Sequence, residues 1–572
     1  MESRFRLSEL KLPLDHGAGD LEEAIRRRLG LSAQSALRFE IVKRSVDARR
    51  RGAIALVYSV DLSVGLDGPG MRRLKQRIAR DPQLRPAPDN RYRCVARADD
   101  LESGLRPVVV GAGPCGYFAA LLLAQMGLRP LLLERGRPVK ERTADTFGFW
   151  QGQRPLDPES NAQFGEGGAG TFSDGKLYSQ VSESETLIRK VLEELVAAGA
   201  NREILTLHRP HIGTFKLATV VRGLRRRIES LGGEVRFGAK LERLELDPET
   251  RAVGGLSLAD GTHLRTDRLV LAVGHSARDT FAMLRQQGVA MESKPFAVGL
   301  RVEHPQPLID QARWGAASGH PLLGAAEYKL VHHAKPDKGE TPRSAWSFCM
   351  CPGGLVVAAT SELNGVVTNG MSQHSRNERN ANSALVVNVE RSDVEAWGEE
   401  PGDPLAGVVF QRHWEHQAFL AGGGDYRAPA QWVEDFLAGR PSVEGGSESL
   451  RASYQPGVRL GSLESCLPSW VLETIREALP AFERRIPGFC SPRALLTGVE
   501  TRTSSPLRLL RKTEGLESVN TPGLYPAGEG AGHAGGILSA AIDGIRVAEA
   551  LALTRLRPQR QAERGESACD PA

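Results

Sequence analysis

The clearest hydrophobic pattern in the chain is a strand, a helix and a second strand within residues 106–134. A β-branched run at 108–110 predicts a buried parallel strand, and apolar residues at helical spacing up to Gly127 predict a helix after it. A further apolar run at 131–133 predicts the neighbouring strand. The pattern therefore predicts a β-α-β unit of a parallel sheet.

The turn between this strand and helix carries Gly111, Gly113 and Gly116 in the G-x-G-x-x-G spacing. We expect the first glycine to make the tight turn, the second to let a pyrophosphate approach, and the third to let the helix pack on the strand. Glu134 follows the second strand, where a carboxylate usually accepts both ribose hydroxyls of an adenosine, which argues against a 2′-phosphorylated nucleotide. The sequence predicts a dinucleotide site. The alternative is a tight turn of another doubly wound protein, with Glu134 there by coincidence.

A second glycine-rich turn lies near the other end of the chain, at 523–552. Gly528 and Glu529 follow a short strand, and Gly536 with Ile537 opens a helix of Ala and Ile. We expect the Glu529 carboxylate to bond the ribityl chain of a flavin, and the helix start to oppose negative charge at the flavin N1–C2 edge. Two such turns in one chain imply one extended cofactor, FAD, held without covalent attachment, with NAD(P)H as a candidate transient reductant.

A glycine-rich segment between the turns, at 161–180, suits the close approach of backbone to a flat ligand. A strand that closes at Gly274 is expected to return the chain to the same sheet. The residues expected to contact FAD are Gly111, Gly113, Pro114, Cys115, Gly116, Glu134, Arg135, Gly168, Gly274, Gly528, Glu529, Gly536 and Ile537.

The order of these segments predicts an α/β fold in which a Rossmann-like FAD-binding domain is interrupted by a β-rich second domain. An N-terminal α+β unit with the order β-α-β-β-α-β suggests a ferredoxin-like unit whose last strand is NRYRCVARADD. Asp20 is expected to cap its first helix, and Ser182 with Glu185 forms a capping box for a later one. The expected parts are the N-terminal unit at 1–100, the FAD-binding domain at 101–294 and 496–555, the β-rich substrate or cap domain at 295–495 and a disordered tail at 556–572.

Composition and charge are those of an ordinary enzyme, with 572 residues and a net charge of +5. Seven scattered cysteines, an odd number, fit reduced thiols better than a disulfide framework. No signal segment is visible near the N-terminus and no membrane span is predicted, so we expect a cytoplasmic protein. Oligomeric state is left open.

The N-terminal hundred residues are more basic than the rest, with 21 Lys and Arg against 14 Asp and Glu. Arginines cluster at 26–28, 49–51 and 72–73, which raises the alternative of a flavoprotein that binds or modifies RNA. The clusters fall in separate elements, and no aromatic array accompanies them to stack bases. The sequence therefore favours a solvated surface over a nucleic-acid partner.

Several stretches together resemble a family of mostly uncharacterised bacterial FAD-dependent dehydrogenases. Those stretches are GAGPCGYFAA at 111–120, NAQFGEGGAGTFSDGKL at 161–177, KPFAVGLRVEHPQ at 294–306, SFCMCPGG at 347–354, TSELNGVVTNGMS at 360–372, TRTSSPLRLLR at 501–511 and GLYPAGEGAGHAGGILSAAIDG at 523–544. The resemblance implies one FAD-binding domain of the glutathione-reductase kind and no separate NAD(P) domain. The chain departs from the expected pattern at Phe215, where an acidic residue is expected.

Catalytic residues are harder to read. Lys176 and Arg502 are the candidates, because a reduced flavin or an anionic substrate favours a fixed cation nearby; the alternative for each is a structural ion pair. Cys349 and Cys351 form C-x-C, whose side chains would share one face of a strand, so both a redox role and buried thiols stay open. The histidines of RHWEH, at 413 and 416, lack a third ligand, and no metal site is expected.

These features indicate an FAD-dependent oxidoreductase that passes a hydride between a small substrate and flavin N5. A flavin monooxygenase is the nearest enzymatic alternative. The sequence does not identify the substrate or the direction of the reaction.

Overall fold

A computed structural model describes residues 4–50, 52–65, 68–178, 183–335, 341–443 and 450–557. The described residues form five β-sheets with helices between their strands, as expected of an α/β protein. Ser182 lies outside the described residues, as do 558–572, which make up most of the predicted tail. Within the described ranges, no helix combines the length and apolarity needed to cross a bilayer.

The N-terminal unit is a four-stranded antiparallel sheet covered by two helices. Its elements are β1 (Arg4–Pro13), α1 (Asp20–Leu29), β2 (Ala36–Asp47), β3 (Ala55–Gly65), α2 (Gly68–Ile78) and β4 (Leu84–Pro86). The strand order is β2-β3-β1-β4, with every neighbouring pair antiparallel. Apolar residues on one face of β1 and β3 pack with the buried face of α1, which gives this unit its own core.

Two local predictions in this unit are wrong. Residues 90–100 form no strand, because Tyr92 and Ala96 pack against the core of the next domain and the Tyr92 hydroxyl donates to Glu549 at 2.6 Å. Asp20 is the first helical residue and does not cap the helix; its carboxylate accepts the N–H of Gly17 at 2.8 Å.

The first domain, which the sequence predicts to bind FAD, is organised around a five-stranded parallel sheet with the order β22-β11-β5-β6-β7. Its first section contains β5 (Val108–Val110), α3 (Pro114–Gln125), β6 (Leu131–Leu133), α4 (Val139–Trp150), α5 (Glu185–Ala197), α6 (Thr214–Ser230), β7 (Glu234–Arg236), β8 (Leu241–Leu246), β9 (Val253–Leu258), β10 (His263–Arg265), β11 (Leu269–Leu271), α7 (Arg278–Gln286) and β12 (Met291–Ser293). The chain returns through β21 (Leu507–Leu509), β22 (Leu524–Pro526) and α13 (Ile537–Leu553). Strands β8, β9 and β10 form a separate antiparallel sheet at its side.

Helices α3 and α13 cover the parallel sheet side by side in very close contact. A Cβ added at Gly544 of α13 would lie 2.2 Å from the carbonyl oxygen of Cys115 in α3. Both helices are almost wholly buried, so their apolar residues face the sheet or each other. This packing places the glycine turn before α3 next to the glycine turn before α13.

The second domain is built on an eight-stranded sheet. Its elements are β13 (Phe296–Pro305), α8 (Gln306–Trp314), β14 (Val331–His333), β15 (Ser344–Ala358), β16 (Thr368–Ser372), β17 (Asn380–Val389), α9 (Arg391–Val394), α10 (Ala406–Gly422), β18 (Ala428–Trp432), α11 (Val433–Leu437), β19 (Val458–Leu460), α12 (Ser469–Arg485) and β20 (Leu495–Glu500). The order is β14-β15-β17-β13-β20-β18-β19, and β16 pairs with β15. Since β20 pairs with β13 and β18, this sheet extends past residue 495, where the sequence places the boundary.

Candidate functional site

The three glycines of the first turn have different surroundings. Gly111 has a φ of 104°, and a Cβ there would lie 2.3 Å from the carbonyl oxygen of Ala272. A Cβ on Gly116 would lie 1.8 Å from the carbonyl oxygen of Gly111, so helix and strand pack as the sequence predicts. Beside Gly113 the nearest atom to such a Cβ is the Cα of Gly168, at 3.9 Å. Two glycines are therefore required by the fold, while the third borders open space.

The second turn lies directly beside the first. A Cβ on Gly528 would lie 2.8 Å from the Cβ of Cys115, the second residue of α3. At Gly274, Gly535 and Gly536, an added Cβ meets no atom within 4 Å. Open space thus lies beside the backbone at each of these three glycines.

The glycine-rich segment closes this space from a third side. A Cβ on Gly168 would lie 2.9 Å from the Cα of Gly113, and one on Gly170 would lie 3.1 Å from Cγ1 of Ile537 and 3.7 Å from Cγ of Pro114. We call the space enclosed by the starts of α3 and α13 and by residues 165–172 the cradle. Its walls are mainly backbone, and helix N-termini face it.

Glu134 holds part of the cradle together. Its carboxylate is buried and accepts the N–H groups of Ala112 at 2.8 Å, Gly136 at 2.9 Å and Gly165 at 2.9 Å. These bonds tie the turn after β5 to the turn after β6 and to the glycine-rich segment. The residue predicted for ribose contact therefore also has a structural role.

Two buried side chains that sequence reasoning missed shape the same segment. Arg142 of α4 is fully buried and donates to the carbonyl oxygens of Asn161, Ala162, Gly165 and Glu166 at 2.8–3.2 Å. The Glu166 carboxylate accepts the Val139 N–H and the Tyr117 hydroxyl and pairs with Arg225. In the sequence Arg142 stands among polar residues of a helix, and nothing there distinguishes it from a surface arginine.

Arg135 lies at the rim. Its guanidinium bonds Glu159 at 2.6 Å and Asp279 at 2.8 Å and stacks over the Phe164 ring, 4.2 Å from its centroid. The arginine thus links the turn after β6 to the start of α7. Any contact with FAD would have to share it with these two carboxylates.

Glu529 occupies the turn before α13. Burial raises the pKa of its carboxyl to about 7, although the Gly536 N–H and the Lys294 ammonium act in the opposite direction. Burial and the neighbouring Arg508 lower the pKa of Lys294. The carboxyl therefore titrates near neutrality beside a cation that sequence reasoning did not single out.

Lys176 forms an ion pair, the alternative that the sequence left open. Its ammonium lies 3.0 Å from the Asp174 carboxylate and donates to the carbonyl of Met350 at 2.5 Å. Burial opposes the charge, but the Asp174 carboxylate holds the pKa of Lys176 above its usual value. Asp174 is also bonded by both arms of Arg376, at 3.0 and 2.5 Å.

Arg502 also lies in an ion-pair cluster between the two domains. We call it the Glu415 cluster, and it consists of Arg278, Glu362, Glu415 and Arg502. The Glu415 carboxylate accepts from Arg502 at 3.0 and 2.8 Å and from Arg278 at 2.9 and 2.8 Å. Arg502 further donates to the hydroxyls of Ser276 and Ser361 at 3.1 and 2.6 Å. The cluster joins α7 of the first domain to α10 and the end of β20 in the second.

His275 lies between the cradle and this cluster. Burial, reinforced by the charges of Arg502 and Arg278, lowers the pKa of His275 to about 3. The imidazole is therefore neutral at physiological pH. It follows Gly274 at the end of β11, as the sequence indicates.

The two cysteines of C-x-C do not share one face, contrary to the geometry expected of a regular strand. The pairing of β15 with β17 shifts between Phe348 and Cys351, and Cys349 has a φ of 43°. Cys349 retains solvent access whereas Cys351 is buried. Protein atoms around the Cys349 sulfur raise its pKa to about 12, which disfavours the thiolate needed for exchange chemistry.

The histidines of RHWEH lie on α10 with separate neighbours. The ring of His413 packs against Trp397 and Trp414, and His416 bonds the carbonyl oxygen of Asn364 at 2.9 Å. Across the described ranges, no group of three or more His, Cys, Asp or Glu side chains has a metal-site arrangement.

The cradle fits the FAD that the sequence predicts. It offers backbone donors at two helix starts, open space where side chains are absent, and one acid at each turn. The pyrophosphate would be held at Gly113 and the start of α3, the adenosine ribose at Glu134, and the flavin end near Glu529 and the start of α13.

Comparison with known proteins identifies the second domain, which adjoins this site through Arg502 and Ser276. Residues 295–503 match the model for the family described as FAD-dependent protein, C-terminal domain-like, and residues 5–63 match a domain of unknown function, DUF8436. An uncharacterised protein of Clostridium beijerinckii is 43% identical over 551 residues, which cover 95% of this chain and 98% of that protein.

Among solved structures, the chain is similar to several flavin proteins. Flavin-dependent brominase Bmp2 is 12% identical, over 81% of this chain and 83% of that one, with a TM-score of 0.34. CtdE in complex with FAD is 12% identical, over 82% and 94%, with a TM-score of 0.31. A variant of E. coli quinol fumarate reductase FrdA is 11% identical, over 82% and 71%, with a TM-score of 0.33.

Proposed function

This chain belongs to one family with the C. beijerinckii protein and is an FAD-dependent protein, and from that premise we propose that it is an oxidoreductase acting on a small substrate. When bound, FAD supplies the site for hydride transfer at its N5 atom. The observation that carries the proposal is the cradle. Backbone atoms occupy the space beside Gly111 and Gly116, while Gly113 borders open space.

The chain's own residues have distinct tasks in this proposal. The N–H groups at the start of α3 neutralise the pyrophosphate, and Glu134 orients the adenosine ribose. At the other end, Glu529 bonds the ribityl chain, and the start of α13 opposes negative charge. The Glu415 cluster, which spans both domains, fixes the second domain over the cradle and keeps Ser276 and His275 in place.

We place the substrate cavity beneath the second domain, because Arg502 of that domain bonds Ser276, the residue after His275 in the loop between β11 and α7. Lys176 and Arg502 then act through charge and position, since both are already paired with carboxylates. A neutral His275 offers a hydrogen-bonding group that stays uncharged throughout the physiological range.

Rapid-mixing spectroscopy tests the reaction class. FAD-loaded protein is mixed with NADH or NADPH without oxygen, and the loss of the oxidised flavin absorbance is followed. The reduced protein is then mixed with oxygen. Direct return of the oxidised spectrum supports a dehydrogenase or reductase. A transient new absorbance band that decays with oxygen insertion into a substrate would instead indicate a monooxygenase.

We also propose that the N-terminal unit serves packing rather than nucleic-acid binding. The edge of β2 bonds the first domain, because the Arg44 N–H donates to the Thr206 carbonyl at 2.7 Å and the His208 N–H donates to the Arg44 carbonyl at 2.9 Å. Four of its clustered arginines have acidic partners at 2.5–2.7 Å, which are Glu22 for Arg26, Glu23 for Arg27, Asp81 for Arg28 and Asp47 for Arg49. Arg51 of the predicted clusters lies outside the described residues.

A further inference from the structure

A second cavity, of about 710 Å³, opens in the second domain. Its wall combines the start of α8, a loop at 319–325, residues 376–380 at the start of β17, Leu450 and Arg451 ahead of β19, and Arg493 ahead of β20. Nothing in the FAD cradle contributes to its lining. The cavity is therefore a separate feature of the second domain.

The lining is rich in arginine. The residues that line it include four arginines and two acids, which are Arg376, Arg379, Arg451, Arg493, Asp310 and Glu378. The two carboxylates have neutral partners. Asp310 accepts from the Gln306 side chain at 2.8 Å and the Ala326 N–H at 2.7 Å, while Glu378 accepts from the Gln373 side chain at 3.1 Å.

Two of the arginines keep their charge available. Neither Arg379 nor Arg451 is ion-paired to a carboxylate in the described part of the chain, and both side chains are exposed. Arg376, in contrast, is bonded by both arms to Asp174 and through it joined to Lys176. The cavity thus carries an excess of positive charge on one side and borders the glycine-rich segment on the other.

We propose that this cavity binds a small organic polyanion that carries phosphate or carboxylate groups. The planar guanidinium fork matches the oxygens of both groups, and several converging forks select multiply charged ligands over chloride. The start of α8 adds the positive end of a helix dipole, although one of its N–H groups, that of Gln306, already donates to the Arg379 carbonyl. This site is independent of the reaction proposed above.

Calorimetric titration of the FAD-loaded protein tests the inference. Inorganic pyrophosphate and citrate are the probes, each at constant ionic strength set with chloride, and FAD prevents pyrophosphate from entering the cradle. We expect saturable binding of at least one probe. Comparison of the two affinities shows whether the cavity prefers phosphate or carboxylate groups. In a variant carrying Arg379→Gln and Arg451→Gln, affinity should fall about a hundredfold, since each of the two lost charge-assisted bonds accounts for about one decade.

The matched control is Arg459→Gln, which removes an equally exposed arginine from β19, outside the cavity lining. Its affinity for both probes should equal that of the unchanged protein. The absence of saturable binding, or an equal loss in the control and in the double variant, would overturn the proposal. Retained yellow colour and unfolding temperature show that each variant is folded.

Discussion

The cradle lies in the first domain and the Glu415 cluster joins the two domains, and they are built by opposite means. The cradle consists of backbone and absent side chains, with open space beside Gly113, Gly274 and Gly536. The cluster consists of long charged side chains, of which Glu362 reaches solvent while Glu415 and Arg502 are 2% and 7% exposed. The first region holds space for a ligand; the second stabilises the arrangement around it. Substitutions in the two should therefore have different effects.

The largest effect is expected from Glu415→Gln. The change leaves Arg278 and Arg502 buried beside each other without their shared carboxylate, and breaking such a pair costs about 3–5 kcal/mol. Urea unfolding followed by circular dichroism measures the loss. The control is Arg412→Gln, whose side chain is 48% exposed and pairs with Glu362, and which should change stability by about 0.5 kcal/mol or less. Equal effects of both changes would contradict the role given to the cluster.

A selective effect on the cofactor is expected from Gly113→Ala. The added methyl group meets no protein atom closer than 3.9 Å, so the fold tolerates it, but it enters the space assigned to the pyrophosphate. FAD affinity, measured by fluorescence titration, should fall at least about tenfold, which corresponds to ~1.4 kcal/mol.

Gly461→Ala is the control for this change, because a Cβ there also meets no atom within 4 Å and the site lies outside the cradle. It should leave FAD affinity unchanged. If Gly113→Ala bound FAD as tightly as this control, the pyrophosphate would not lie beside Gly113.

A smaller, pH-dependent effect is expected from Glu529→Gln in protein freed of FAD. The pKa of Glu529 is raised from 4.5 to about 7, so the folded chain binds its proton more tightly than the unfolded chain does. Stability therefore falls as pH rises from about 4.5 to about 7, and the glutamine variant should lack this loss. Allowing for solvent access, the variant should be more stable by about 1 kcal/mol above pH 7.

Thermal unfolding of both proteins from pH 5 to pH 8 checks this prediction. Parallel stability curves for the two proteins would mean that the Glu529 carboxyl ionises without penalty.

The smallest effect is expected from Arg27→Gln in the N-terminal unit. Its exposed pair with Glu23 is one helical turn apart on α1, and such pairs contribute about 0.5 kcal/mol or less. Binding of a single-stranded RNA, measured by gel shift at near-physiological salt, should be weak before and after the change. Tight binding that this change weakens would make the unit a nucleic-acid module.

The sequence predicted the packing of the first glycine turn correctly, because backbone geometry demands one residue type at fixed spacing. Gly111 and Gly116 meet the backbone of neighbouring elements as expected, and the strands at 108–110, 131–133, 269–271 and 524–526 lie in one sheet. Lys176 and Arg502 could not be placed in the same way. Their partners Asp174 and Glu415 are ordinary acids in the sequence, and the pairing of Arg502 with Glu415 depends on how two domains meet. The prediction that Cys349 and Cys351 share one face of a strand was wrong, because a strand irregularity leaves no periodic signal in the sequence.

The most direct test of the account measures how much flavin the purified protein contains and whether denaturation releases that flavin. We predict a yellow protein from which acid or heat releases one FAD per chain, with no flavin left attached to the polypeptide. A colourless protein that takes up no FAD on reconstitution, or a flavin that stays bound to the denatured chain, would contradict the central claim that the cradle holds FAD without a covalent bond.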